Sequence, residues 1–259
     1  PATGLLVYQT DAPTGYFYNS GTPASPQWTM VFTQSTGWGI AGNIGINPAT
    51  NFLGTTDNSA LHFRVNNLHA GELNPVNGNI LFGLEAGVNT ASFSNIAIGS
   101  RALKTNVSES NLIAIGDSAL YSNTTGIENL AIGSKALYLN STGTGNTATG
   151  FQALYANGFG QYNSAFGSQA LAGNSSGSHN TAVGGFALYT NEGSANTAVG
   201  SMALNMNTRG GANAAIGYKA IYANQSGHSN TAVGSEAMVS NTSGYGNAAL
   251  GLAALEKNT

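Results

Sequence analysis

From residue 79 to residue 255 the chain is written to one period. A five-residue pattern, N-x-A-x-G, closes on Gly83, Gly99, Gly116, Gly133, Gly150, Gly167, Gly184, Gly200, Gly217, Gly234 and Gly251, in steps of 17 residues except for two of 16. Such a period decides architecture before any other feature does, and it is too short for a paired-helix repeat, which needs more than about thirty residues. It suits one coil of a β-solenoid. Each coil reads as a short strand, a tight bend at the Gly, a second short strand and an Asn/Gly turn. Gly and Asn tolerate the left-handed backbone that such corners demand. Stacked coils pair each strand in parallel with its copies above and below, and about eleven of them at about 4.8 Å make a rod of about 50 Å.

With the Gly as position zero, other rows emerge. Position −2 is Ala in ten consecutive rows, including Ala97, Ala131, Ala182 and Ala232, paired with Gly99, Gly133, Gly184 and Gly234. These eight residues are taken as the repeat core. Position +3 is Ala throughout, +4 is Leu or a Leu equivalent from Leu103 onward, and +7 is Asn from Asn106 to Asn241. No charged residue occupies −4 to 0 in any row, whereas +2 carries Glu85, Arg101, Lys135, Lys219 and Glu236. With Ala at −2 facing inward, −3 and −1 face the other way. A strand without a charged face is usually covered on both sides. One 17-residue roll has only one interior, so the second cover is expected to be another copy of the chain. At +2, opposite signs stand on neighbouring coils, Glu85 by Arg101 and Lys219 by Glu236.

The rows Asn95-Ile96-Ala97-Ile98-Gly99, Asn129-Leu130-Ala131-Ile132-Gly133 and Asn213-Ala214-Ala215-Ile216-Gly217 resemble the head repeats of YadA-like trimeric autotransporter adhesins. The resemblance implies an all-β fold, a left-handed parallel β-roll, and a homotrimer packed around an axis. The familiar adhesin repeat is shorter, so the Asn/Gly turn is expected to form a larger outer loop. Residues 1–78 differ in texture: all six Pro and both Trp lie there. Residues 4–10, 15–19 and 28–32 read as three short strands divided by turn-forming residues. This small β-rich region, continuing through residues 47–67, resembles segments of bacterial and phage tail-fibre and surface proteins. The domains are therefore read as 1–78, a connector, and 79–259, the roll. A chain that starts Pro1-Ala2 without Met reads as a mature or partial piece. With neither a membrane-anchor barrel nor a self-cleaving chaperone in it, a phage-like fibre is expected ahead of a cell-surface adhesin.

Composition narrows the chemistry. Charged residues make up 7% of the chain and the net charge is −3, so no basic surface invites nucleic acid or anionic membrane. No apolar run reaches the length of a membrane span. There is no Cys, which excludes disulfides and thiolate metal sites and fits an extracellular setting. Glu109, Asp117, Glu128 and Glu192 occupy unrelated repeat positions and form no evident acid–base set, so no catalysis is expected. His62, His69, His179 and His228 lack ligand spacing, so neither metal nor cofactor is expected. Position +5 is Tyr at Tyr121, Tyr138, Tyr155, Tyr189 and Tyr222. A stacked ladder that supports the rungs is the first reading of this row, and a platform for sugar rings the second. The variable turns (Asn157 to Tyr162, Asn207 to Ala212, and Tyr245) are the other binding candidates. Trp28 and Trp38 either meet a neighbouring fibre segment or close small N-terminal cores.

The expected function is a structural and adhesive segment of an extracellular trimeric fibre. Its partners would be itself, a cell-surface glycan or protein receptor, and other fibre components. An ice-binding solenoid is the alternative, suggested by Thr147, Thr181, Thr197 and Thr231 at −3; a tailspike-type polysaccharide depolymerase is the third class.

Overall fold

A computed structural model describes residues 4–11, 15–32, 46–47, 49 and 52–258. The chain divides into two compact units, 1–55 and 56–259. In the first, β1 (Leu6–Gln9), β2 (Gly15–Asn19) and β3 (Trp28–Phe32) fall on the three segments read as strands from the sequence, and they form an antiparallel sheet in that order. Asn19 closes the β2–β3 connection: its Oδ1 accepts the Gly21 and Gln27 backbone N–H groups at 3.0 and 2.9 Å. Trp28 is partly exposed on β3; residues 12–14 and Trp38 lie outside the described residues.

In the second unit, β4 (Leu61–Val65) and β5 (Leu68–Leu73) form a hairpin whose two-residue turn is Asn66-Asn67, at φ 49° and 59°. Positive φ at both centres is what the tightest hairpin turns require, and Asn accepts it. β5 then pairs antiparallel with β6 (Ile80–Phe82), the first of eleven three-residue strands that run in parallel to β16 (Ala248–Leu250). The pairing is in register with the repeat, Ala97 beside Ala114, then Ala131, then Ala148. The product is a β-solenoid of about ten turns with a rise of about 17 residues.

The inside is narrow and uniform. Ala at −2, Ala at +3 and Leu at +4 are fully buried in nearly every coil. Gly at zero serves both a φ near 133° and a close approach: a Cβ on Gly133 would fall on the Gly150 carbonyl of the next coil.

Two expectations need correction. The segment after the Gly is not a second extended strand. Ala102 and Leu103 are both buried although adjacent, and adjacent side chains of a strand point to opposite faces. The backbone resolves this by entering the left-handed region at +2 and +4, as at Arg101 (57°), Leu103 (52°), Lys135 (57°) and Leu137 (50°). Left-handed conformation costs a non-Gly residue about 1 kcal/mol or more. Coil-to-coil hydrogen bonds offset it: Arg101 N–H donates back to Leu84 O (2.9 Å) and Leu103 N–H forward to Ala119 O (3.0 Å).

The Asn at +7, for its part, does not supply positive φ. It is buried, and its side chain builds a ladder. Asn140 Nδ2 donates to Asn123 Oδ1 at 2.8 Å and to Gly143 O at 2.9 Å, using both amide hydrogens. The same link runs unbroken from Asn106 through Asn258. A second ladder runs at −4. Asn129 Oδ1 accepts the backbone N–H of Asn146 (2.9 Å) and Asn129 Nδ2 donates to Gly143 O (2.7 Å), so each amide clamps the next coil. Buried polar groups are tolerated when their bonds are made, and here one residue type repeats because one bonding pattern repeats. Leu112 is the single non-Asn at −4, and it too is buried.

Candidate binding surface

Three kinds of surface surround this interior: the outer sheet face, the edge from +1 to +6, and the turn at +8 to −5. On the sheet face, −3 and −1 point away from the core. Phe82, Ile98, Ile132, Phe166, Val183 and Ile216 along −1 are each 36–43% exposed in the single chain. No charge interrupts them. Two rows on eleven strands amount to a strip about 50 Å long and about 7 Å wide.

The edge is wet, as its +2 charges suggested. Arg101 Nε and Lys104 Nζ lie 3.4 and 2.9 Å from Glu85 Oε2. The Lys104 hydrogen bond, foremost, holds the Glu85 carboxyl below its usual range. Lys104 escaped the sequence reading because it reaches Glu85 from +5 of the next coil. Lys219 and Glu236 stand on adjacent coils but form no ion pair; Lys219 Nζ lies over the rings of Tyr218 and Tyr222, at 5.2 and 5.6 Å.

The five tyrosines of the +5 row fall into separate groups. Tyr121, Tyr138 and Tyr155 stack, with centroids 5.1 and 5.3 Å apart and planes inclined by 19° and 3°. Tyr189 pairs instead with Phe186, tilted by 55° at 5.7 Å. Tyr222 shares Lys219. Ala172 and Asn205 occupy the row between these groups and break it. In the stacked triplet each inner ring face is taken by its neighbour. It offers a partner ring edges and phenol hydroxyls at about 5 Å spacing rather than open platforms.

At the turn, two of the histidines have aromatic partners one coil away: His179 stacks on Tyr162 (5.3 Å, 20°) and His228 on Tyr245 (5.3 Å, 12°). The interval of 17 residues between each pair was the available signal. Both 16-residue steps shorten this turn, at Thr90-Ala91-Ser92 and Asn191-Glu192-Gly193. Beside the second lies an open notch of about 470 Å³ lined by Thr190, Glu192, Thr208, Arg209, Gln225 and Ser226. The four carboxylates of the sequence reading do not share a position: Asp117 is at +1, Glu109 and Glu128 at different points of the turn, and Glu192 in the notch. His62 and His69 come together with Glu72 on the β4–β5 hairpin.

No protein-family model, no curated protein and no solved structure matches the chain. What is established is the architecture: a β-solenoid preceded by a small three-stranded antiparallel sheet.

Proposed function

We propose that the chain is a segment of an extracellular homotrimeric fibre, of a phage-like particle or a bacterial surface, that displays an attachment surface. In this reading the roll is left-handed and three copies pack their uncharged sheet faces around an axis. The observation that carries it is the uncharged strip at −3 and −1, apolar along −1 except at Thr149 and mixed Ile, Leu, Ala, Thr and Ser along −3. At about 350 Å² in all, the strip is comparable to the largest apolar patch of a typical soluble monomer, and such patches often mark a face that meets another protein. A strip of constant width and no charge suits an identical strip on a parallel copy. The edge and turn then remain outside, with their tyrosines, histidines and notch available to a glycan or protein receptor. Threefold repetition strengthens weak contacts by avidity, often by about a hundredfold or more, when three sites reach one surface.

The test is retention of the labelled chain on a panel of bacterial and animal cells and printed glycans. A variant carrying Ile132→Asp, intended to leave single folded chains, serves as comparison. Wild type should be held on at least one surface and the variant released at least about tenfold faster. Failure of the wild type on every surface would count against an attachment role, and equal retention of the two would count against avidity.

The ice-binding reading keeps one point in its favour, since the −3 row lies on the outer sheet face. Thr181 and Thr197 are adjacent on it, but Ser164, Ala214, Ile96, Ile113 and Leu130 interrupt the rank. Thermal hysteresis at micromolar protein would revive that reading.

A further inference from the structure

We propose that the β4–β5 hairpin binds a divalent transition-metal ion of the zinc class through His62, His69 and Glu72. The strand register places His62 opposite Glu72 and Arg64 opposite His69. His69 and Glu72 are three residues apart on one strand, an odd spacing that regular pleating would send to opposite faces. A bulge between these pairs inserts Ala70 as an extra residue and turns His69 onto the face of His62 and Glu72. Bulges characteristically re-aim a side chain in this way. Ligand atoms of the three residues all lie within 4.8 Å of one another, and His62 Nδ1 is 3.5 Å from Glu72 Oε2.

Two details point to an ion rather than to a chance cluster. His69 Nε2 is buried without a hydrogen-bond partner, a condition most buried polar atoms avoid. The Glu72 carboxylate is oriented from behind: Asn74 Nδ2 donates to Oε1 at 2.7 Å, leaving Oε2 toward the histidines. Supporting bonds of this kind fix the orientation of metal-ligating carboxylates. Arg64, on the same face, is drawn to the hairpin turn by Nη1 bonds to Asn67 O and Oδ1 at 3.2 and 3.3 Å.

Two imidazoles and one carboxylate are a zinc-type donor set, with a fourth position left for water or a ligand. Tetrahedral coordination at about 2.1 Å separates donors by about 3.4 Å. The His62–Glu72 spacing already meets this, and the separations from His69, none above 4.8 Å, would close by at most about 1.4 Å. An ion here would tie together the two strands that cap the N-terminal end of the roll, adding a metal clip where the Asn ladders have not yet begun.

The test is equilibrium dialysis of the full chain against zinc chloride, with bound metal measured by mass spectrometry and unfolding followed by circular dichroism. One ion per chain is expected, with a rise in unfolding temperature on zinc addition. Glu72→Gln and His69→Ala should each weaken binding at least about tenfold, and Glu72→Gln, of nearly the same shape, should abolish the temperature rise. The double variant His179→Ala/His228→Ala should bind as wild type does. Retention of well under one ion per chain, unchanged binding in Glu72→Gln, or loss in the His179/His228 double variant would overturn the site.

Discussion

The two long sides of each coil are both solvent-facing in the single chain, yet they are built to opposite rules. Along the sheet face, −3 and −1 hold Ile, Leu, Val, Thr, Ala, Ser and Phe and never a charge. Along the edge, +2 holds Glu85, Arg101, Lys135, Lys219 and Glu236, and Glu85 collects two cations from the next coil. Folding of one chain does not require this difference, because the Ala, Leu and Asn rows supply its core and bonds without either side. The asymmetry makes sense if only the edge meets water in the assembled molecule.

That contrast can be broken from the inside first. Ala182→Glu places a carboxylate where no side-chain volume or partner exists, since Ala182 is fully buried between Ala165 and Ala198. Unpaired burial of a charge is among the most destabilising changes known, about 4 kcal/mol or more. Loss of the cooperative unfolding transition is expected, and an unchanged melting curve would refute the burial of −2.

Next in size is Asn157→Ala. It removes bonds to Asn140 Oδ1 and Gly160 O and leaves one of the two Asn174 Nδ2 hydrogens without its acceptor, Asn157 Oδ1, while the other keeps Gly177 O. Leaving such groups unpaired should cost about 3 kcal/mol, read by chemical denaturation. A loss below about 1 kcal/mol would mean that the ladder is replaceable by solvent.

A change on the sheet face separates fold from assembly. Ile132→Asp should leave the circular dichroism spectrum and single-chain stability nearly unaltered, because surface substitutions typically stay within about 0.5 kcal/mol. Assembly should nevertheless be lost. The matching change on the edge, Lys135→Asp, should alter neither. Equal effects from the two would erase the distinction between the sides.

The smallest effect belongs to Glu85→Gln. The folded carboxyl is held below its ordinary value by Lys104 first and Arg101 second, so its contribution is present above the unfolded carboxyl range and fades as pH falls through the folded one. Wild type and variant should therefore differ slightly at neutral pH and converge in acid. Addition of salt should shrink the difference at neutral pH as well.

Much of this was legible because a repeat writes each structural need many times. The N-x-A-x-G rows gave the strand, its register and its inward Ala directly. The pair Ala102-Leu103 already held the warning against a second strand, since two neighbours cannot both face inward from extended backbone. What the rows could not tell was how the Asn side chains bond, because a turn residue and a buried ladder residue leave the same letter at +7. Non-periodic features were hardest. His69 joins His62 and Glu72 only because of a bulge at Ala70, and Lys104 reaches Glu85 across a 19-residue separation that matches no repeat step. Single contacts of that sort carry no pattern to read.

The most direct test is the solution mass of the intact chain by multi-angle light scattering at neutral pH and physiological salt. A single species at three times the chain mass of 26.2 kDa is expected if the uncharged faces cover one another. A monodisperse species at one chain mass would contradict it, leaving the uncharged strip exposed to water and the trimeric fibre without support.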